Sequence, residues 1–207
     1  MLDDWTEGIA ARVRAAAAGG FRPFGAEGHG LQLRPPLPED EIEAFERRWA
    51  VALPAEYRAF LARAGDGGAG PGYGMYSLRE AVTAERGEHA PDDILRTPFP
   101  RTRAYDPDGD DPELEPLWER RESGEIDVRR VYLYESAGTL ALCHEGCGYY
   151  HLLVVTGPAR GQVWLDGRCS DQGIQPLEVG FREWYERWLD GVLAGGDGAW
   201  WLTAPPR

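Results

Sequence analysis

The chain has 207 residues, of which 43% are hydrophobic and 11% aromatic, so it can bury a core and is not disordered as a whole. It carries 35 acidic and 22 basic residues, and this net charge of −13 opposes binding to nucleic acid or to anionic membranes and favours a basic partner. Three cysteines, no basic leader and no long apolar run predict reduced thiols, no membrane span and a cytoplasmic location.

The N-terminal region predicts a helix and a short strand. Over residues 3–17, apolar side chains recur every four positions, and Gly19-Gly20 ends the pattern. Leu31 and Leu33 alternate with polar neighbours, which indicates a short strand.

Two further helices and a glycine-rich turn are predicted next. The segment LPEDEIEAFERRWA begins with acidic residues, which suit the positive end of a helix dipole. The segment LPAEYRAFLARAG has Pro54 at a first helical position and Gly65 at its end. The glycine run Gly65–Gly74 lacks the Gly-Lys-Ser/Thr of a phosphate-binding loop. We therefore predict a helix C-cap that leads into a turn with close backbone approaches.

Residues 85–127 predict an acidic insertion or loop region with one helix over Leu114–Glu122. The stretch 88–127 holds thirteen acidic and five basic residues, so most of the net negative charge lies here. Its densest part carries six carboxylates: Asp106, Asp108, Asp110, Asp111, Glu113 and Glu115. Because this part lacks the ligand spacing of a calcium loop, two interpretations remain, a solvated loop and a surface that attracts a basic protein.

From Arg130 the chain changes to short runs rich in β-branched and aromatic residues, joined by tight turns. These runs predict antiparallel strands at 131–135, 139–144, 149–156 and 162–166. The last helix carries an apolar stripe at helical spacing: Phe181, Trp184, Tyr185, Trp188, Leu189 and Val192. The order of elements predicts an α+β fold, a β-meander packed with N-terminal helices and a C-terminal amphipathic helix, in one domain of residues 1–207.

Metal-capable side chains are concentrated in the predicted meander: Cys143, His144, Cys147, His151 and Cys169. Cys143 and His151 lie inside predicted strands, and the spacing does not fit the paired ligands of a zinc knuckle. Structural packing is therefore favoured, and no metal site or cofactor is predicted. No Gly-x-Ser-x-Gly elbow marks a nucleophile, so no catalytic residue is predicted. His29 and His89 fall in predicted loops, which favours solvated side chains.

An ordered set of motifs resembles the SUKH superfamily. LPEDEIEAFERRW precedes LPAEYRAFLARAGDGGAGPGYGMYSL, and a Gly-Cys-Gly turn, Gly161-Gln162-Val163-Trp164 and Phe181-x-x-Trp184 follow. The resemblance covers residues 37–84 and 130–193. It implies an α+β domain with a central antiparallel sheet and with these scaffold positions: Leu53, Pro54, Tyr57, Phe60, Trp164 and Trp184.

The resemblance also implies a function. Bacterial members typically act as immunity proteins, which neutralise toxins, often nucleases, by direct binding, and fungal relatives regulate cell-wall synthesis. We therefore predict a non-enzymatic immunity protein whose partner is a basic protein toxin and whose contact surface lies within 106–115. Two alternatives stay open: a regulatory or scaffolding binding module, and a small metal-dependent hydrolase that uses Cys143, Cys147 and His151.

Overall fold

The computed structural model describes residues 2–87, 90–105, 114–170 and 172–203. Within these ranges, helices surround one four-stranded antiparallel sheet, which confirms the predicted α+β fold. The helices are α1 (Leu2–Ala18), α2 (Ala26–His29), α3 (Glu39–Trp49), α4 (Ala55–Arg63), α5 (Glu80–Thr83), α6 (Leu114–Glu122), α7 (Val128–Ser136) and α8 (Phe181–Leu193). The strands are β1 (Thr139–Gly146), β2 (Tyr149–Val154), β3 (Gln162–Gly167) and β4 (Gly173–Gly180). No helix formed by these residues has the length and apolar character that crossing a bilayer requires.

The sheet is a meander in which each strand pairs with its neighbours in sequence, in the order β1-β2-β3-β4. The turn Gly146-Cys147-Gly148 joins β1 to β2, and all three of its residues have positive φ, which suits a tight reversal. Across β1 and β2, Cys143 pairs with His151. Because side chains alternate along a strand, this register fixes which of them share a face of the sheet.

Residues 131–135, which we predicted as the first strand, lie in helix α7. Asp127 caps the helix by accepting a hydrogen bond from the backbone N–H of Arg129 at 3.0 Å. Val131 and Glu135 are both buried and lie four positions apart, which is a helical period. The prediction is wrong because the alternating aromatic residues of this run fit a strand pattern as well as they fit one helix face.

Strand β4 was not predicted, and it supplies the fourth strand of the sheet. Its sequence, GIQPLEVG, contains Pro176 and has glycine at both ends, and these residues usually interrupt strands. The edge of a sheet tolerates proline because one side of an edge strand forms no ladder hydrogen bonds. The strand predicted at Leu31–Leu33 is reduced to a single bridge between Leu33 and Gly68.

Both faces of the sheet are buried. On one face Leu140, Leu142 and Leu153 belong to a core shared with α1, α4 and α8. On the other face Leu152 and Trp164 pack with a smaller group that includes Phe99 and Val131. The scaffold positions implied by the resemblance are all buried: Leu53, Pro54, Tyr57, Phe60, Trp164 and Trp184.

Part of the region predicted as an acidic loop contributes to the core. Ile94, Leu95 and Phe99 are fully buried. The backbone N–H of Phe99 donates to the carbonyl oxygen of Thr156 at 2.8 Å, which holds this segment just after the end of β2. The helix predicted over Leu114–Glu122 is confirmed as α6.

Candidate functional site

The acidic segment that we predicted as a partner surface follows Tyr105 in the sequence, and Tyr105 lies at the edge of the sheet. Asp106, Asp108, Asp110, Asp111 and Glu113 lie outside the described residues, and Glu115 lies in α6. Just before the segment, Tyr105 exchanges backbone hydrogen bonds of 2.9 and 2.7 Å with Ile174 of β4. The guanidinium of Arg101 lies 3.5 Å from the centre of the Tyr105 ring. The described residues therefore fix the position of Tyr105, which directly precedes the acidic segment in the sequence.

A second surface feature is a row of four rings, the aromatic strip: Phe24, Tyr73, His144 and Tyr150. Successive ring centroids lie 5.5, 5.9 and 4.7 Å apart. Phe24 is 50% exposed and Tyr73 is 47% exposed, and among the described residues the other exposed large hydrophobic side chain is Leu202. Aromatic rings on a rigid surface are typical of the residues that dominate the binding energy of protein interfaces.

Glycines bring together the chain segments that carry the strip. A Cβ on Gly25 would lie 2.0 Å from the carbonyl oxygen of Gly72, and a Cβ on Gly72 would lie 2.4 Å from the carbonyl oxygen of His144. At this close approach the backbone N–H of Tyr73 donates to the carbonyl of His144 at 3.0 Å. The close-packed turn predicted for Gly65–Gly74 is confirmed, and one result is a fixed position for Tyr73.

Next to the strip, Cys143, Glu145 and His151 bring a thiol, a carboxylate and an imidazole within 4.8 Å of one another. Cys143 and His151 are fully buried, and Glu145 is partly buried. Burial raises the pKa of Glu145 to about 7, although the Cys143 thiol, 3.7 Å away, donates a hydrogen bond to its carboxylate. Burial, and then the neighbouring Glu145, raise the pKa of Cys143 well above its usual value. A thiol that stays protonated is a poor nucleophile.

The imidazole of His151 is engaged by helix α8. The indole N–H of Trp184 donates to Nδ1 of His151 at 2.9 Å. Burial lowers the pKa of His151 to about 3, so the ring is neutral at physiological pH. A neutral imidazole has one accepting and one protonated nitrogen, so the proton must lie on Nε2. With Nδ1 occupied and Nε2 protonated, the ring has no lone pair for a metal ion.

The ligand set of the hydrolase alternative is not assembled. Cys147 lies exposed in the hairpin turn, whereas Cys143 and His151 are buried between the sheet and α8. All three cysteines are free thiols, as predicted. His29, which we predicted to be solvated, lies in α2 with its ring centroid 6.4 Å from that of Trp188, and burial lowers its pKa. His89 lies outside the described residues.

Behind the other face of the sheet lies a buried ion cluster: Glu85, Arg86, Glu135, Asp166 and Arg168. Arg168 pairs with Glu135 at 2.5 Å, with Asp166 at 2.6 Å and also with Glu85. Arg86 pairs with Glu85 at 3.0 Å and donates to the carbonyl oxygen of Ser136 at 2.8 Å. Burial alone would raise the pKa of Glu85, but Arg86 and Arg168 lower it below its usual value. For Glu135 burial prevails and raises the pKa to about 6.

Sequence reasoning missed the aromatic strip and Glu145. Tyr73 had a usable signal, because an aromatic residue between Gly72 and Gly74 places a large side chain on a tightly folded backbone. Glu145 had none, since its burial depends on the glycine-rich turn that folds over β1 from more than 70 residues earlier in the chain.

One comparison with known proteins gives a match. A family model described as SMI1 / KNR4 family (SUKH-1) matches residues 36–188, about three quarters of the chain. This range contains α3, α4, the whole sheet and part of α8. No curated protein and no solved structure matches the chain.

The first prediction concerns the buried ion cluster. Arg168→Met removes the guanidinium that serves three buried carboxylates, and we expect a loss of about 3–5 kcal/mol in the free energy of unfolding. The control Arg187→Met removes an exposed pair with Glu183 and should cost less than about 1 kcal/mol. Urea unfolding at pH 7.5 measures both. Equal losses in the two variants would contradict a stabilising role for Arg168.

The second prediction concerns Glu145. Because its pKa is raised from 4.5 to about 7, the folded state holds the proton more tightly than the unfolded chain does. Its stability contribution is therefore fully present below pH 4.5 and is lost as the pH rises through 7. Glu145→Gln should match the parent protein at pH 4.5 and melt a few degrees higher, about 3–6 °C, at pH 8.

Thermal unfolding from pH 4.5 to pH 8 tests this expectation. Glu7→Gln, on the exposed side of α1, is the control for removing a surface carboxylate. A difference in melting temperature that does not change with pH would mean that Glu145 is not held in a poorly solvated site.

Proposed function

The chain belongs to the SMI1 / KNR4 family (SUKH-1), and from this membership we propose that it is an immunity protein, which binds a protein toxin and neutralises it. The family match is the observation that carries the proposal, because the family is known for immunity-type and toxin-related domains. The family is also not a known enzyme family, which favours binding over catalysis.

The mechanism we propose is occlusion of the toxin's working surface. With a net charge of −13, the chain repels nucleic acid and attracts basic proteins. A nuclease toxin needs a basic cleft to hold phosphate, and an acidic protein can compete for that cleft. We propose that residues 106–115, the ten-residue stretch with the most carboxylates in the chain, face this partner.

The chemistry of the described residues supports binding. Cys143 stays protonated and His151 is neutral and bonded to Trp184, so neither is available for nucleophilic or acid–base work. The strongly paired carboxylates of the buried ion cluster are satisfied by Arg86 and Arg168 within the fold. These groups therefore stabilise the fold, and we assign the proposed binding function to residues at the surface.

We also propose that residues 1–207 form a single domain in which 85–127 is an acidic insertion, and that the protein acts in the cytoplasm. An inhibitor that works by occlusion must meet the toxin in the compartment where the toxin is active.

The third prediction tests neutralisation. A tagged full-length chain, purified from its native cell, should retain a tightly bound protein that is toxic when expressed alone. Co-expression of the chain should restore growth, and the purified chain should inhibit the toxin at a stoichiometric ratio. A bound protein that is harmless alone would contradict the proposal, as would toxicity that persists in the presence of the chain.

The fourth prediction tests the acidic surface. Replacing Asp106, Asp108 and Asp110 together by arginine should slow association with the toxin about tenfold or more at low ionic strength. The control replaces three exposed carboxylates elsewhere by arginine, namely Glu7, Asp40 and Glu41. Stopped-flow association at several salt concentrations measures both effects. If the two triple variants associate equally fast, the acidic segment is not the contact surface.

A further inference from the structure

Two of the three cysteines lie exposed on neighbouring turns at one end of the sheet. Cys147 occupies the hairpin turn between β1 and β2, and Cys169 lies in the 3₁₀ turn Arg168–Ser170, which follows β3. Strands β2 and β3 are antiparallel neighbours, and Tyr150 pairs with Asp166 near the start of β2 and the end of β3. Both turns therefore lie at the same end of the sheet.

The two turns are in direct contact. A Cβ on Gly148 would lie 2.8 Å from the Cβ and 3.2 Å from the Sγ of Cys169. The side chain of Cys169 therefore packs against the backbone of the residue that directly follows Cys147 in the chain. The hydroxyl groups of Tyr149 and Ser170 share a hydrogen bond, which adds a second contact between the turns.

Other contacts fix the backbone that carries each thiol. In the hairpin turn the backbone N–H of Gly148 donates to Nε2 of His144 at 3.2 Å. In the 3₁₀ turn Arg168 extends its side chain into the buried ion cluster, and its backbone N–H donates to the carboxylate of Asp166 at 3.2 Å. A disulfide has a narrow range of geometries, so it forms readily only where the fold already brings the two thiols together.

We propose that Cys147 and Cys169 form an oxidation site, at which a small-molecule disulfide such as oxidised glutathione converts the two thiols into an intramolecular disulfide. The bond ties the hairpin turn between β1 and β2 to the 3₁₀ turn after β3. Disulfides that form in a reducing compartment are usually transient and redox-sensing, and an exposed disulfide is readily reduced again. The site goes beyond the proposed function, and none of its steps needs the toxin.

The reaction consists of two thiol–disulfide exchanges. The thiolate of Cys147 attacks one sulfur of oxidised glutathione, the S–S bond of glutathione breaks, and one glutathione thiolate leaves and takes up the proton that Cys147 gave up. Cys169 then loses its proton and attacks the Cys147 sulfur of the mixed disulfide, and the second glutathione leaves as a thiol. Two protein thiols are oxidised, and one molecule of oxidised glutathione is reduced to two thiols.

The surroundings of the thiols set the order of attack. Burial and the nearby carboxylate of Asp166 raise the pKa of Cys169, which lowers its thiolate fraction and favours Cys147 as the first nucleophile. The charge of a Cys147 thiolate also raises the pKa of Cys169, and this effect ends once Cys147 is bonded to glutathione. The third cysteine, Cys143, is fully buried and its pKa is raised well above its usual value, so it takes no part.

The fifth prediction is tested on the full-length chain in glutathione buffers of increasing oxidised fraction, quenched by alkylation. Trypsin digestion without reduction should give residues 131–160 cross-linked to residues 169–182, and fragment ions should place the bond on Cys147. Dithiothreitol should reverse the cross-link. Glutathione carried separately on both exposed cysteines, without the cross-link, would overturn the proposal. A disulfide between two chains, or a bond to Cys143, would overturn it as well.

Variants assign the two roles. Cys147→Ser and Cys169→Ser each change an exposed side chain, and each should abolish the cross-link. Cys169→Ser should collect glutathione on Cys147 as fast as the parent chain, whereas Cys147→Ser should collect it on Cys169 more slowly. The control Cys143→Ala should keep the cross-link, and if it does not fold, the fragment ions of the parent chain decide. Equal rates in the two serine variants would refute the order of attack.

The disulfide should also stabilise the fold, because it closes a loop in the unfolded chain with 21 residues between the two cysteines. The oxidised chain should melt about 3–10 °C above the reduced chain, and Cys169→Ser should show no such difference in the same buffers. An equal or lower melting temperature of the oxidised parent chain would mean that the bond distorts the turns. That result would overturn the inference that the fold holds both thiols in place for the bond.

Discussion

The hydrogen bond from Trp184 to His151 joins the C-terminal helix to the middle of the sheet, and much of the molecule depends on it. His151 lies on β2 opposite Cys143 on β1, so the bond fixes α8 over the strand pair that carries the hairpin turn. Each partner is buried, and an indole N–H left without an acceptor there would cost about 1–3 kcal/mol. The same bond selects the tautomer of His151, which in turn removes it from metal and acid–base chemistry.

Two kinds of buried polar group therefore coexist beside one sheet, and they are stabilised in opposite ways. His151 and Cys143 are kept neutral by burial. Glu85 is kept charged because two arginines surround it. Glu145 fits neither arrangement, since its pKa of about 7 lies close to neutral pH and no cation of the described chain stabilises the charged form. The protonation state of such a carboxylate responds readily to a charge that binds next to it.

Elements with a local sequence signal were predicted correctly. Elements whose secondary structure is determined by long-range contacts were not. Helix α8 was predictable because six apolar residues recur on one face. Helix α7 and strand β4 were not, because VYLYE satisfies both periods and because Pro176 marks a break that an edge strand tolerates. The prediction of a β-meander is correct although α7 was predicted as a strand and β4 was not predicted. Short turns between consecutive strands require antiparallel neighbours, whichever strand is the first.

For the candidate site, a different factor limits what can be predicted from the sequence. The charge of residues 106–115 can be read from the sequence, whereas the aromatic strip arises only when glycines at 25 and 72 allow three distant segments to touch.

These two surfaces would influence binding through different rate constants. A group of carboxylates acts at long range, so it raises the rate of encounter, and this effect is weakened by salt. Exposed aromatic rings act only on contact, so they lower the rate of dissociation and are less sensitive to salt. In the proposed immunity function, residues 106–115 would thus govern how quickly a basic partner arrives, and the exposed rings of Phe24 and Tyr73 would govern how long it stays. Most differences in affinity between related complexes lie in dissociation. The aromatic strip is less acidic than residues 106–115, and by this reasoning it is the surface that determines which partner stays bound.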